Sequence, residues 1–467
     1  MRSIVPSYGR FTVRASDYLK QDSDVMLGGG TDETELLQAI LDKAKEWGGL
    51  VLEVDGAILM RGMRLHSNTT IHCANQNCGF YLADDTNDAI VQNAHLDYDV
   101  IRDENIQLLG GTYNINCEHQ QRSKEPLPPG DGKYGKEQSR FEGAHYLHGL
   151  RFIGVRGLTM RDMRTVDQRV WDAVFCNWEH IVIENFAVEL PHNYFAQNQD
   201  GLHFWGPGRD LFIHNIRGGS GDDFIALAPD EHDRCSDITD VLIDGVYLEE
   251  ADQGIRMLSR GPGKLDRVTI RNVYGTYRSC GFFINPWFGK WCDDSDGNYG
   301  AITVENVQLR QTYHKYQGYC RPFLFRIGGR IQSLTLKNIQ AIEPNDAREL
   351  VDISHIYSGD AGTDNFVDIA NLTVDGLEVL NREGTTEPVD YIAVDCKVDH
   401  LTVRNVLINR DGNPAADTVV HVKPGANVGT LDLSHVQGYG IEAGIKVEGD
   451  VRVIRRHCVF INDEKEK

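Results

Sequence analysis

Three aspartates in one short stretch could do chemistry together. Asp200 opens Asp-Gly-Leu-His-Phe, and 22 positions later Asp222 and Asp223 open Asp-Asp-Phe-Ile-Ala-Leu, so a carboxylate followed by a short apolar strand occurs twice. Between the copies lies another apolar run, Leu211-Phe-Ile-His-Asn-Ile, bounded by Pro207-Gly208 and Gly218-Gly219. Two strands and two turns fit in that interval. If it is one full turn of a coil of parallel strands, Asp200 and Asp222 lie on neighbouring rungs with backbones about 4.8 Å apart. Like charges so close raise at least one pKa, which sets a protonated acid beside an ionised base near neutral pH. Hydrolysis of a glycosidic bond uses that pair. One Asp at a strand end is ordinarily a turn residue; a doublet stacked over a third points to chemistry.

Other outward positions of the same strand series add candidates. Strict alternation turns one member of the doublet inward, so Gly219-Ser220-Gly221 must form a turn that lets both reach solvent. Gln253 and Arg256 follow on the next rung, and an Arg there suits a sugar hydroxyl or carboxylate. His203 and Trp205 are candidate walls of a sugar-binding cleft, joined by Trp287, Trp291 and Tyr319, because sugar rings stack on aromatic faces. Taken alone, His203 reads equally as a packing residue, and Trp205, Trp287, Trp291 and Tyr319 read more readily as packing than as walls.

The elements that must position these residues form a repeat. Its core is an alternating apolar run followed by Asn, Asp, Gly or His, beginning at Leu158, Ile181, Leu211, Val241, Val268, Ile302, Leu334, Leu372, Leu401 and Leu431. Successive starts differ by 23, 30, 30, 27, 34, 32, 38, 29 and 30 residues. A period that wanders by several residues means coils of fixed cross-section with loops of variable length. Asn recurs at 185, 215, 272, 306, 338 and 405, always just after the strand, where stacked amides can bond from coil to coil. A second strand follows in step, from Gly201-Leu-His-Phe and Phe224-Ile-Ala-Leu to Gly444-Ile-Lys-Val.

Two strand registers repeating together predict an all-β chain, a right-handed parallel β-helix or solenoid that forms a single domain over 1–467. Residues 1–30 read as irregular. Residues 31–48 read as one amphipathic helix opened by Thr31 or Asp32 and closed at Gly48-Gly49, with Leu36, Leu37, Ile40, Leu41, Ala44 and Trp47 on its apolar face. Laid over the first rung, it would cap an open edge. Coils then run over 50–460, interrupted by a polar stretch at 117–142 that should project as a long loop.

Composition narrows the partners. The 467 residues carry 69 acidic and 47 basic side chains, a formal charge of −22, which argues against nucleic acid and anionic membranes. The ten cysteines show no CxxC pair and no clustering with His, so neither a metal site nor a cofactor is expected; a Cys73–Cys78 bridge stays open. The N-terminus has no apolar signal core and no run of about 18 apolar residues occurs. These features predict a soluble protein and favour the cytoplasm, although a secreted or periplasmic mature form would read the same.

The chain resembles the polygalacturonase-type enzymes of glycoside hydrolase family 28. The resemblance runs from GGGTDETELLQAILDKAKEWGGLVLEVDG through VWDAVFCNWEHIVIENFAVELP to NQDG and SGDDFIAL, covering residues 28–275 in order. The family's Asn-Thr-Asp motif is matched by Asn198-Gln199-Asp200, and its Gly-Asp-Asp by Gly221-Asp222-Asp223. Carried over, the resemblance makes Asp222 the acid that protonates the leaving oxygen, and Asp200 and Asp223 the bases that activate water for inversion. Two motifs depart. The family's Gly-His-Gly is absent, with Gln253-Gly254 where His is expected, and its Arg-Ile-Lys is reduced to Arg256-Met257-Leu258. Without the Lys that pairs a uronate, the resemblance implies hydrolysis more firmly than it implies polygalacturonate. A neutral glycoside or mixed oligosaccharide of plant or microbial origin fits better, and the lack of an export signal leans toward short oligosaccharides attacked from the end.

Two other readings share the scaffold. A polysaccharide lyase would use the three aspartates to hold calcium and Arg256 to abstract a proton. A non-catalytic β-helix would bind carbohydrate without turnover.

Overall fold

The computed structural model describes residues 3–120, 148–191, 198–233, 235–286, 296–312, 322–354, 367–380, 382, 388–410, 417–441 and 444–461. The chain divides into two compact units, Met1–Ile225 and Ala226–Lys467. Both are built mostly of β-strands, and no helix among the described residues is long and apolar enough to cross a membrane.

In the first unit, strands one turn apart pair in parallel. Leu50–Val54 pairs with Thr69–Cys73, which pairs with Asp103–Leu109; Leu150–Arg161, Ala173–Glu189 and Gly208–Gly218 follow. The register aligns Leu52, Ile71, Leu108, Met160, Ile183 and Ile213, all of them fully buried. Alternation puts every second side chain of each strand into that column, and its desolvation is the main force holding the coils together. The repeat starts at Leu158, Ile181 and Leu211 are direct partners.

The second unit continues the scheme in its own frame. Ile243, Ile270, Val304, Leu336, Val374, Val403 and Leu433 form one buried column. Ile255, Phe282, Phe325, Val351, Ile392 and Val420 form another. The first two coils depart from the expected pair of short strands. Ile238–Ser259 and Leu265–Pro286 each run unbroken, absorbing the corner in register shifts between Leu248 and Gln253.

The N-terminal segment also differs from expectation. The helix is two pieces, Thr34–Leu41 and Lys43–Trp47, meeting at Asp42, with Leu37, Ile40, Leu41 and Ala44 buried. Leu36 and Trp47, expected on the apolar face, are only half-buried. Gly48 ends the second piece in the left-handed conformation (φ 79°), which a side chain would resist. The helix lies against Arg64, whose backbone exchanges hydrogen bonds with the Gln38 amide in both directions, 2.9 and 3.1 Å. The outer edge of Leu50–Val54 is taken by Thr12–Arg14, a strand inside the stretch that reads as irregular. Three residues carry too little alternation to announce a strand, yet they satisfy the exposed ladder edge. Residues 117–120 of the expected projecting loop begin as a packed turn, Cys117–His119, with Cys117 and Gln120 buried; residues 121–147 lie outside the described ones. Cys73 and Cys78 are both free and buried, so the bridge left open is not formed.

The recurrent asparagines have a backbone cause. Asn185, Asn215, Asn272, Asn306, Asn338 and Asn405 all hold positive φ between 52° and 61°, the left-handed region that Asn tolerates better than most residues. Their amides also bond from coil to coil: Asn215 to Asn185 at 2.7 Å, Asn306 to Asn272 at 3.2 Å and Asn338 to Asn306 at 3.1 Å. Where Gly245 or Gly376 occupies the column, the preceding Asp supplies the acceptor, Asp244 to Asn272 and Asp375 to Asn405. The Asp-Gly variant of the motif thus replaces both properties of Asn with two residues. Asn306→Ala is expected to destabilise the protein by about 1–2 kcal/mol, through left-handed strain and two lost bonds at an exposed site. Asn306→Gly should cost roughly half as much, since it restores the backbone but not the bonds. Urea denaturation of the three proteins measures the order; equal losses for Ala and Gly would contradict a backbone cause.

Candidate functional site

The coil brings the aspartates together through four backbone bonds. Gly201 N–H donates to Asp223 O (2.9 Å) and Gly221 N–H donates to Gln199 O (3.0 Å), each bond joining residues 22 apart. On the opposite side, Asp172 N–H donates to Asp200 O (3.0 Å) and Ala173 N–H to Gly201 O (3.1 Å). Asp200 and Asp222 therefore lie between the same pair of inter-coil bonds, on adjacent rungs. The ladder is irregular here, because one bond leaves from Gly221 and the other arrives at Asp223. Ser220 supports this turn by donating its hydroxyl to Asp222 O at 2.8 Å. A Cβ on Gly201 would stand 2.3 Å from Phe224 O, so the approach needs glycine.

The turn does not free both members of the doublet, as alternation required. Asp222 is half-buried, whereas Asp223 is 7% exposed and Asp200 3%. Asn198 is left-handed (φ 59°), and its N–H donates to Asp222 Oδ2 at 3.0 Å. That contact clasps the Asn-Gln-Asp segment onto the doublet. Asp200 Oδ2 lies 2.8 Å from His203 Nδ1, and both side chains are almost fully buried.

His203 is therefore not an open wall. Its ring stacks on Trp171 with centroids 3.7 Å apart and 9° between planes, and Trp171 stacks in turn on His148 at 4.8 Å and 6°. Trp205, half-buried, stands edge-on to Trp171 at 5.2 Å. Together these rings fix the imidazole that bonds Asp200, which makes His203 a positioning residue in the geometry seen.

Trp171 and Asp172 are the residues that the reading of the sequence passed over. Asp172-Ala-Val-Phe is a third copy of the carboxylate-plus-strand unit, 28 positions before Asp200, so the signal was present. Asp172 is fully buried; its Oδ2 accepts from the Thr165 hydroxyl at 2.8 Å, and its Oδ1 has no hydrogen-bond partner. Burial pushes its carboxyl from 3.8 up to about 7, against the lowering effect of Thr165. In the neutral form Oδ2–H can donate to Thr165 Oγ, whose own proton turns toward Ala187 O, 3.5 Å away. Gln168, also buried, donates from Nε2 to Asp200 O at 3.4 Å and accepts from Gln199 Nε2 at its own carbonyl, 3.0 Å.

Gln253 and Arg256 belong to the second unit, both buried, with Arg256 donating to Gln253 Oε1 at 3.0 Å and its guanidinium 4.1 Å from the centre of the Phe283 ring. Trp287, Trp291 and Tyr319 fall outside the described residues. A cavity of about 620 Å³ in the second unit, lined by Tyr274, Asn306, Gln308, Asn338, Gln340 and Leu407, has the asparagine column as its floor.

Solved structures resemble this fold at low sequence identity. A tailspike protein of an E. coli bacteriophage aligns with TM-score 0.57 and 11% identity over 98% of this chain and 79% of that one. The A-module of an Azotobacter vinelandii mannuronan C-5 epimerase aligns with TM-score 0.54 and 13% identity over 94% and 99%. A family 28 exopolygalacturonase from Yersinia enterocolitica aligns with TM-score 0.44 and 13% identity over 97% and 78%. No protein-family profile matches the chain, and no curated protein matches its sequence. The likenesses to the tailspike and to the epimerase module establish the fold alone, a parallel β-helix.

The Asp172 carboxyl has a measurable consequence. The folded state holds its proton between about pH 4 and 7 while the unfolded state has lost it, so stability from this group is complete below pH ~4 and disappears as pH rises through ~7. The total is on the order of 4 kcal/mol. Asp172→Asn, which cannot ionise, should remove that fall, leaving a variant more stable than wild type near pH 8. Denaturant unfolding across this range checks it; parallel profiles for the two proteins would refute the assignment.

Proposed function

We propose that the chain is a glycoside hydrolase of polygalacturonase-like type, on a right-handed parallel β-helix with an N-terminal cap. It cleaves O-glycosyl bonds of plant or microbial oligosaccharides from the chain end with inversion and uses no metal in the reaction. The observation that carries this reading is the pair of backbone bonds that set Asp200 beside Asp222 and Asp223 on adjacent rungs. Asp222 is the most exposed of the three and is held at Oδ2 by Asn198 N–H, which makes it the acid that delivers a proton to the leaving group. Asp200, fixed by His203, and Asp223 act as bases on a water held between the carboxylates, an arrangement that needs roughly 6.5–9.5 Å between acid and base. The substrate class is supported by the company the fold keeps, since a second structure of the tailspike was solved in complex with a hexasaccharide.

Asp222→Asn should lower kcat by ~10²–10⁴-fold on any aryl glycoside or plant oligosaccharide the wild type turns over, with KM nearly unchanged and the thermal transition intact. Wild-type activity should persist in chelator. Loss of turnover in chelator together with an ultraviolet-absorbing product would mean a calcium-dependent lyase instead, and equal turnover by variant and wild type would remove Asp222 from the acid role.

A further inference from the structure

A second cluster of titratable groups occupies a corner of the first unit, on residues other than the carboxylate site. Met63–Leu65 pairs with Val91–Asn93 in register, Leu65 opposite Asn93, so His66 and His95 emerge on consecutive coils with ring centroids 5.6 Å apart. Asp103 opens the strand Asp103–Leu109 at the same corner and is 1% exposed. Its Oδ2 accepts from Asn93 Nδ2 (3.0 Å) and His95 N–H (2.8 Å), and its Oδ1 lies 3.0 Å from His95 Nδ1. His66, His95 and Asp103 each bring one nitrogen or carboxylate oxygen within 4.8 Å of the others.

His66 shows that something is missing from its hydrogen bonding. It is 6% exposed, with Nε2 2.8 Å from Asp42 Oδ1 at the junction of the two N-terminal helices. A ring that donates from Nε2 to a carboxylate presents a lone pair at Nδ1, and this Nδ1 is buried with no hydrogen-bond partner. An unsatisfied buried acceptor is costly, and a cation satisfies it. A carboxylate behind the far nitrogen is the usual means of orienting a ligating imidazole and raising its basicity.

We propose that His66, His95 and Asp103 bind a borderline divalent cation of the zinc class. Two imidazole nitrogens and one carboxylate oxygen suit zinc, cobalt or nickel, whereas calcium and magnesium prefer oxygen alone. His95 is more than half exposed, so its ring can move to close the 4.8 Å spread to the ligand separations that bonds of about 2.0–2.2 Å require. Three protein ligands leave a fourth position for water. The ion would tie the helix junction, through Asp42 and His66, to the following coil through His95 and Asp103. Positions 66, 95 and 103 match no zinc-binding spacing, which is why the sequence predicts no metal.

The test uses the full chain, stripped with chelator and titrated with zinc sulfate by calorimetry, alongside thermal unfolding with and without excess zinc. The wild type should take up one ion at this site and melt several degrees higher with it, an effect calcium does not reproduce. His95→Ala, at an exposed position, should keep the metal-free melting temperature and lose both the uptake and the shift. An unchanged zinc response in His95→Ala, which adventitious binding to the exposed Cys235 would give, overturns the proposal. So does a wild type that zinc neither binds nor stabilises. Turnover by the aspartate site is unaffected by either outcome.

Discussion

The parallel hydrogen-bond ladder that joins one coil to the next places the strand side chains on which the rest of the structure depends. In such a ladder a residue has one neighbour above and one below, and side-chain direction alternates along the strand. Once the register is set, like positions stack into columns: apolar residues inward, left-handed asparagines at the corner, and charged pairs such as Arg271 with Asp244 outside. A slip of one residue would turn each apolar column outward, so burial enforces the register more strongly than any single bond does.

That constraint makes a cluster of acids possible at modest cost. Asp200, Asp222 and Asp223 are held close by backbone geometry formed for other reasons, and each carboxylate or its carbonyl is bonded by a neighbour, namely His203, Asn198 or Gly201. The irregular turn at Ser220 and Gly221 is where strand geometry is given up locally. The same rule serves the corner holding His66, His95 and Asp103, which consecutive coils bring together from distant positions.

How much could be read in advance depended on the range of the interactions. Alternation and period are local, so the columns beginning at Leu158 and Val241, the stacked asparagine column and the adjacency of Asp200 to Asp222 were legible, whereas the left-handed backbone of those asparagines was not. The short edge strand Thr12–Arg14 was not, because three residues hold no periodicity and its pairing is settled by the open edge it meets. The break at Asp42 and the merging of strands in Ile238–Ser259 likewise depend on how a corner packs.

The sequence by itself therefore determined the repeat, its coil lengths, and which acidic residues lie on adjacent rungs, since these follow from spacing along one chain. Only the tertiary structure decided that Asp222 alone of the doublet keeps appreciable exposure, that His203 is buried against Trp171 and bound to Asp200, and that Asp172 is a buried acid. Solvent access, ring stacking and desolvation are produced by atoms from several coils converging on one place, and no single stretch of sequence records that convergence.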